Sequence, residues 1–183
     1  MDTLGFFLLD PVVTRAVGAS LSIVLLAGAW QKLRDPVVFA GAVENYRLLP
    51  APLVPLVARG LPLLELAAGL LLLFPETCFL GGAAALVLLL GVTAAVAINL
   101  LRGHDRIDCG CGGLSSQPLS WSLVARNGVL MGLVVLAAQE TAGRPLVWAD
   151  FFTVGGAVLA LVGLYVSVNQ LMTNAPLALA LRK

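Results

Sequence analysis

The sequence predicts an all-α fold, a polytopic transmembrane bundle of about five spans, and three observations lead there. Of its 183 residues, 60% are hydrophobic and 11% charged, and a mean hydropathy of +0.98 lies well outside the range of soluble domains. Five apolar stretches are long enough to cross a hydrocarbon core of about 30 Å, which takes about 20 helical residues. These runs are continuously apolar and lack the alternation of a lipid-facing strand. They are read as one integral membrane domain over residues 1–183, a four-helix core plus one further span, with no soluble domain of any size.

The first span is expected over residues 12–33. Ahead of it, "MDTLGFFLLDP" has Asp2 and Asp10 where a signal peptide would carry Lys or Arg, so no cleavage is expected. After it, "RDPVVFAGAVENYRLLPAP" is too short and too interrupted to cross. Asp35 and Pro36 read as an N-cap and first-turn pair. The short helix they start, over 36–49 and ended by Pro50, sets Val38, Phe39, Ala42 and Val43 against Glu44, Asn45 and Arg47, which suits the interface plane.

The second span, 52–74, carries Glu65 near its middle, where an ionised carboxylate costs about 2.5 to 3.5 kcal/mol on insertion scales. Glu65 must face protein or water, be protonated, or find a partner, for which Arg59 and Arg15 are the candidates. Pro62 can kink the helix and free a carbonyl as well. With no second acid nearby, a buried hydrogen-bonded anchor suits Glu65 better than a proton relay.

"PETC" turns the chain into the third span, 79–101, with Pro75 ending one helix and Cys78 just preceding the next. That span ends "AVAINLLRGH", with Asn99 about one turn before a polar loop over 102–118. The fourth span, 119–139, has Ser120 as a candidate N-cap, and Arg126 and Asn127 near its start. Arg126 can snorkel to the headgroups. The fifth span is expected over 147–171. Gly128 and Gly132, like the pairs Gly81/Gly82 and Gly155/Gly156, read as places of close helix approach.

The chain's net charge is +1, and no basic run could follow a phosphate backbone, which excludes nucleic-acid binding. In a five-span arrangement Lys32, Arg34, Arg47, Arg59, Arg102, Arg106, Arg126, Arg182 and Lys183 fall on or near one face, and only Arg15 and Arg144 towards the other. The positive-inside rule then sets the N-terminus outside and the C-terminus in the cytoplasm, with the 102–118 loop on the cytoplasmic side.

That loop holds "GHDRIDCGCGG", with Cys109 and Cys111 one glycine apart. In one chemistry the two thiols cycle between dithiol and disulfide. Gly110, Gly112 and Gly113 give the backbone the freedom a tight ring needs, and the strain of so small a ring makes it easy to reduce. Arg106 and a protonated His104 would favour the thiolate, while Asp105 and Asp108 oppose it. In a second chemistry Cys109, Cys111 and His104, with Asp108, hold zinc or copper(I), although C-x-C is shorter than the usual spacing and the chain has a single histidine. In the third the cysteines fill a tight turn and do no chemistry. Cys78 lies a whole span from Cys109, about 30 Å against a disulfide limit of about 7 Å between Cα atoms. It reads as a small interfacial hydrophobe.

Three stretches together carry a resemblance: "QKLRDPVVFAGAVENYRLLP", "LPLLELAAGLLLL", and "DCGCGG" followed by "LSWSLVARNGVL". From about Ala27 to about Leu136 the chain resembles the methylamine utilisation protein MauE family, itself similar to the wider DoxX-like membrane proteins. The resemblance implies a multi-pass protein of the bacterial inner membrane, needed to mature the small subunit of methylamine dehydrogenase. It further implies work beside a membrane-anchored, thioredoxin-like partner in forming or isomerising disulfides of an exported, disulfide-rich client. Carried over by position, Cys109 and Cys111 become the exchanging pair, while Lys32, Tyr46, Arg47, Glu65, Arg126 and Asn127 fall in the motifs without an assigned role; His104 is a modulator by its closeness to the thiols in the sequence, not by the resemblance. Gly113 stands where many relatives would have a bulky aromatic.

The leading expectation is therefore a membrane component of a thiol-disulfide relay, with possible thiol-disulfide oxidoreductase activity. A bound quinone would suit such a relay, though no quinone motif is recognisable. The rival is a non-catalytic assembly or scaffold subunit, and a metal-ion carrier is a third reading. An exported client calls for exchange outside the cytoplasm, whereas charge counting sets the loop inside.

Overall fold

The computed structural model describes residues 10–104, 119–139 and 146–180, with side chains through Asn174. Six α-helices and one 3-10 turn make up the described residues, without a strand: α1 (Pro11–Arg34), α2 (Pro36–Asn45), the turn Ala51–Leu53, α3 (Val54–Leu71), α4 (Cys78–Leu101), α5 (Trp121–Ala137) and α6 (Trp148–Ala180). Four of them are long and apolar enough to cross a membrane. The fifth, α5, has 17 residues, about 26 Å at 1.5 Å each.

α1 begins on an aspartate cap that the sequence reading used only as an argument against a signal peptide. The Asp10 carboxylate accepts the Val12 N–H at 2.8 Å, and Pro11 at the first helical position has no N–H to leave unpaired. The second Asp-Pro pair behaves differently. Asp35, whose ψ of 69° departs from the extended geometry of a cap, makes no side-chain cap on α2; it also closes α1, its N–H donating to the Gln31 carbonyl at 3.4 Å while its own carbonyl accepts from Phe39 at 3.1 Å. α2 is also shorter than expected, since Arg47 takes a left-handed φ of +47° just beyond it. Its Phe39 and Ala42 are buried while Val37 and Val38 are exposed, an inner and an outer apolar face.

α3 absorbs Pro62, which is buried inside the helix. The helix stops at Leu71, three residues earlier than expected, and the Thr77 hydroxyl donates to the Leu71 carbonyl left open there, at 2.8 Å. α4 ends in a Schellman motif: Gly103, at φ +76°, donates its N–H to the Leu100 carbonyl, and the His104 N–H bonds back to the Asn99 carbonyl at 3.0 Å. α6 runs past its expected end at 171 to Ala180.

The helices alternate in direction. Cys78 at the start of α4 lies beside Ala137 at the end of α5, and Ser22 of α1 donates to the Gly69 carbonyl near the end of α3 at 2.6 Å. α1 packs against α3, α5 and α6, while α4 packs against α3 and α5. Val17, Leu21, Ala68, Leu72, Ala85, Leu130, Val134 and Ala137 form the core of the four-helix unit, and α6 lies on it through Leu161 and Tyr165. The expected four-helix core plus one is therefore the architecture observed.

Close approach occurs at some of the expected glycines and not at others. A Cβ on Gly81 would lie 2.7 Å from the Leu72 nitrogen, and one on Gly82 3.0 Å from the Ala138 Cβ. Gly128, Gly132, Gly155 and Gly156 face open space within 4 Å. Among the described residues the G-x-x-x-G spacing on α5 is thus not a packing seam, because that face of α5 points away from α1 and α4.

Candidate functional site

One end of the bundle gathers the C-terminal ends of α1, α4 and α6 and the N-terminal ends of α3 and α5. The 105–118 segment, which carries Cys109 and Cys111, joins α4 to α5 at this end and lies outside the described residues. Its two stems are described. Val96, Leu119 and Leu123 pack together as a small core with Tyr46, Leu100, Val124 and Met172 around them. Tyr46, at the end of α2, is thus held against both stems, and burial pushes its phenol up to about 12.

His104, the expected modulator, is exposed at the edge of this core. Its Nδ1 lies 3.5 Å from Oδ1 of Asn99, and the Schellman bond ties its backbone to the same residue. Asn99 is completely buried, with its Nδ2 donating to the Ala95 carbonyl at 3.0 Å. Ser120 occupies the N-cap position of α5 with an extended backbone, but its hydroxyl pairs with that of Ser122 at 2.6 Å rather than with the helix. Ser120 thus holds the expected N-cap position without a side-chain bond to the helix.

The structure corrects the partner expected for Glu65. Lys32 of α1 places its Nζ 2.6 Å from both carboxylate oxygens, and the two side chains are about nine-tenths buried, at 10% and 9% exposure. Arg15 lies towards the opposite end of α1. Arg59 precedes Glu65 by six residues on α3, which turns it to a different side of the helix, where it is exposed. The ring of Phe39 covers the Lys32 ammonium at 5.5 Å, so one ion pair joins α1, α2 and α3.

A second polar group crosses α4, α5 and α6. Asn127, buried, donates to the Thr93 hydroxyl at 3.1 Å. Arg126 donates from Nη2 to Asn127 at 3.3 Å and from Nη1 to Asn169 at 2.8 Å. Arg126 was expected to snorkel to the headgroups; it turns to Asn169 instead, and its Nε is buried without a partner among the described residues. Thr93 and Asn169 were missed in the sequence, although an asparagine inside an apolar span is the signal that points to such a bond.

Cys78 sits at the opposite end of α4 from the 105–118 segment, its thiol donating to the Ala137 carbonyl at 3.4 Å. Among the described residues no group of three His, Cys, Asp or Glu side chains could hold a metal ion; Cys109, Cys111 and Asp108 fall outside that set. A shallow cleft of about 380 Å³ opens beside α2, lined by Glu44, Asn45, Arg47, Leu49, Ala51 and Val54.

A family model described as methylamine utilisation protein MauE matches residues 10–140. The curated relatives described as "Methylamine utilization protein MauE" include the following three. The one from Paracoccus denitrificans is 42% identical over 134 residues, covering 72% of each chain. That from Methylorubrum extorquens is 40% identical over 161 residues, covering 85% of this chain and 86% of its own. That from Paracoccus versutus is 38% identical over 167 residues, covering 88% of each. No solved structure matches the chain.

Proposed function

The chain belongs to the methylamine utilisation protein MauE family, and from that premise we propose that it is the membrane component of a thiol-disulfide relay in methylamine utilisation. Its proposed task is to help mature an exported, disulfide-rich client, as for the small subunit of methylamine dehydrogenase, beside a membrane-anchored thioredoxin-like partner in the bacterial inner membrane. The observation that carries the reading is the C-x-C pair in a polar segment between two firmly anchored stems, in a chain that is otherwise an apolar bundle.

In the exchange, a thiolate of the partner attacks one sulfur of the Cys109–Cys111 disulfide and forms a mixed disulfide. The partner's second thiolate then displaces the remaining cysteine. Two electrons pass from the partner's dithiol to the pair, which leaves as a dithiol with two protons; the reverse sequence returns them. His104, fixed beside the first stem, sets an imidazole at the start of the segment, and a membrane quinone is a chemically suitable final electron acceptor.

Replacing Cys109 and Cys111 with Ser tests this. Client maturation should fall to the level of a strain lacking the protein, and alkylation trapping of the wild-type pair should show its redox state changing when the thioredoxin-like partner is removed. Unchanged maturation in the double variant would eliminate the relay. That result would favour the scaffold reading, which has its own support: Gly128, Gly132, Gly155 and Gly156 leave open helix surface against which another helix could lie.

A further inference from the structure

Exposed charges and large aromatics are sorted to the two ends of the bundle. At the end where α4 leads into the 105–118 segment stand Arg34 on the last turn of α1, Arg47 after α2, Arg59 in the second turn of α3 and Arg102 at the cap of α4, all exposed. None of them forms an ion pair among the described residues, where Lys32 is already neutralised by Glu65. Asp35 and Glu44 are the exposed carboxylates described at this end, and Asp105, Arg106 and Asp108 of the following sequence do not reverse the sign. Among the described residues the opposite end carries Asp10, Glu76 and Asp150 against Arg15.

Two tryptophans mark the basic end, Trp30 at 69% exposure and Trp121 at 58%. The other end shows Phe74, Phe79 and Trp148, the last at 81% exposure and in edge contact with Phe151. Exposed aromatics at both ends of helices of membrane length mark the two water-lipid boundaries.

We propose that the arginines at the Trp30–Trp121 end bind the headgroups of anionic phospholipids. Four separate elements, α1, α3, α4 and the residue after α2, supply these arginines, so the charge is spread across this end of the bundle and not held on one helix. Arg59 argues most directly for lipid. It belongs to a spanning helix, five residues past its start, and helical side chains tilt towards the N-terminus, so a guanidinium there snorkels towards the headgroups at this end. Trp30 and Trp121 occupy the same end, as the boundary requires. Each arginine near an anionic surface should favour it about fivefold, weakening with salt.

The test uses the purified full chain in neutral detergent, offered an equimolar mixture of phosphatidylglycerol and phosphatidylcholine, with retained lipids counted by native mass spectrometry. Phosphatidylglycerol should be retained at least about fivefold over phosphatidylcholine at low salt, approaching parity at high salt. The double variant Arg34→Gln/Arg102→Gln should lose about fivefold or more of that preference, and Arg15→Gln should keep it. Equal retention by the wild-type chain overturns the proposal, as does an Arg15→Gln loss equal to that of the double variant. A double variant that keeps its lipid preference and loses a protein partner overturns it in favour of protein docking.

Discussion

Glu65 lies eleven residues into α3, about 16 Å along its axis, and Lys32 reaches it from the last turn of α1. Two charges so far from water are tolerable only together. Removing one should leave the other buried and uncompensated, a loss of about 3–5 kcal/mol, whereas replacing both by apolar side chains is nearly neutral. Lys32→Met and Glu65→Gln should therefore each lower the thermal midpoint in detergent, and Lys32→Met/Glu65→Leu should recover most of the loss; a double variant worse than either single one would refute the pairing argument. The demand for a partner was legible in the sequence, because a carboxylate in the middle of an apolar run has to be satisfied somehow. The partner was not, since Lys32 sits 33 residues away, and its reach depends on how α1 and α3 lie against each other. Asn127 was legible as a polar residue in a span, while its bond with Thr93 emerges only once α4 and α5 are paired.

At the level of the helix, glycines that look alike in sequence separate into two kinds. Gly81 sits where the start of α4 crosses the end of α3, and a methyl group there would meet backbone atoms that cannot step aside. Gly81→Ala should destabilise by about 1–3 kcal/mol. Gly128→Ala and Gly132→Ala meet nothing and should be neutral, or stabilising by up to about 1 kcal/mol each through helix propensity. Thermal unfolding of the three variants side by side checks this, and equal losses would contradict the packing described. Spacing could not draw the distinction, because G-x-x-x-G states that a close approach is possible and not which side of the helix meets a neighbour. The Asp-Pro pairs teach the same lesson: both open a helix, yet only the Asp10 carboxylate caps one, since Asp10 has the extended backbone of a cap and Asp35, at ψ 69°, does not.

The whole molecule combines helices of unequal length. α1 and α4 have 24 residues each and α5 has 17, so α5 fits a thinner slab than its neighbours. Bilayers with a hydrocarbon thickness of about 26–30 Å should suit it best. Reconstituted in phosphatidylcholines of increasing chain length, the protein should show its highest thermal midpoint in that range and a lower one in thicker membranes; a midpoint that only rises with thickness would show that α5 does not set the fit. Length and composition were enough to read the apolar helices and the surplus fifth element. They could not reveal that α1 touches α3, α5 and α6, because contact order in a bundle is a matter of small residues and hydrogen bonds such as that from Ser22 to Gly69. That central position has a biosynthetic consequence. Of the described helices α1 leaves the ribosome first, so the surface on which α3, α5 and α6 must settle is in the bilayer before any of them is made. Each later helix can then dock on a finished neighbour, and α6, the last to emerge, closes the assembly by settling on the first.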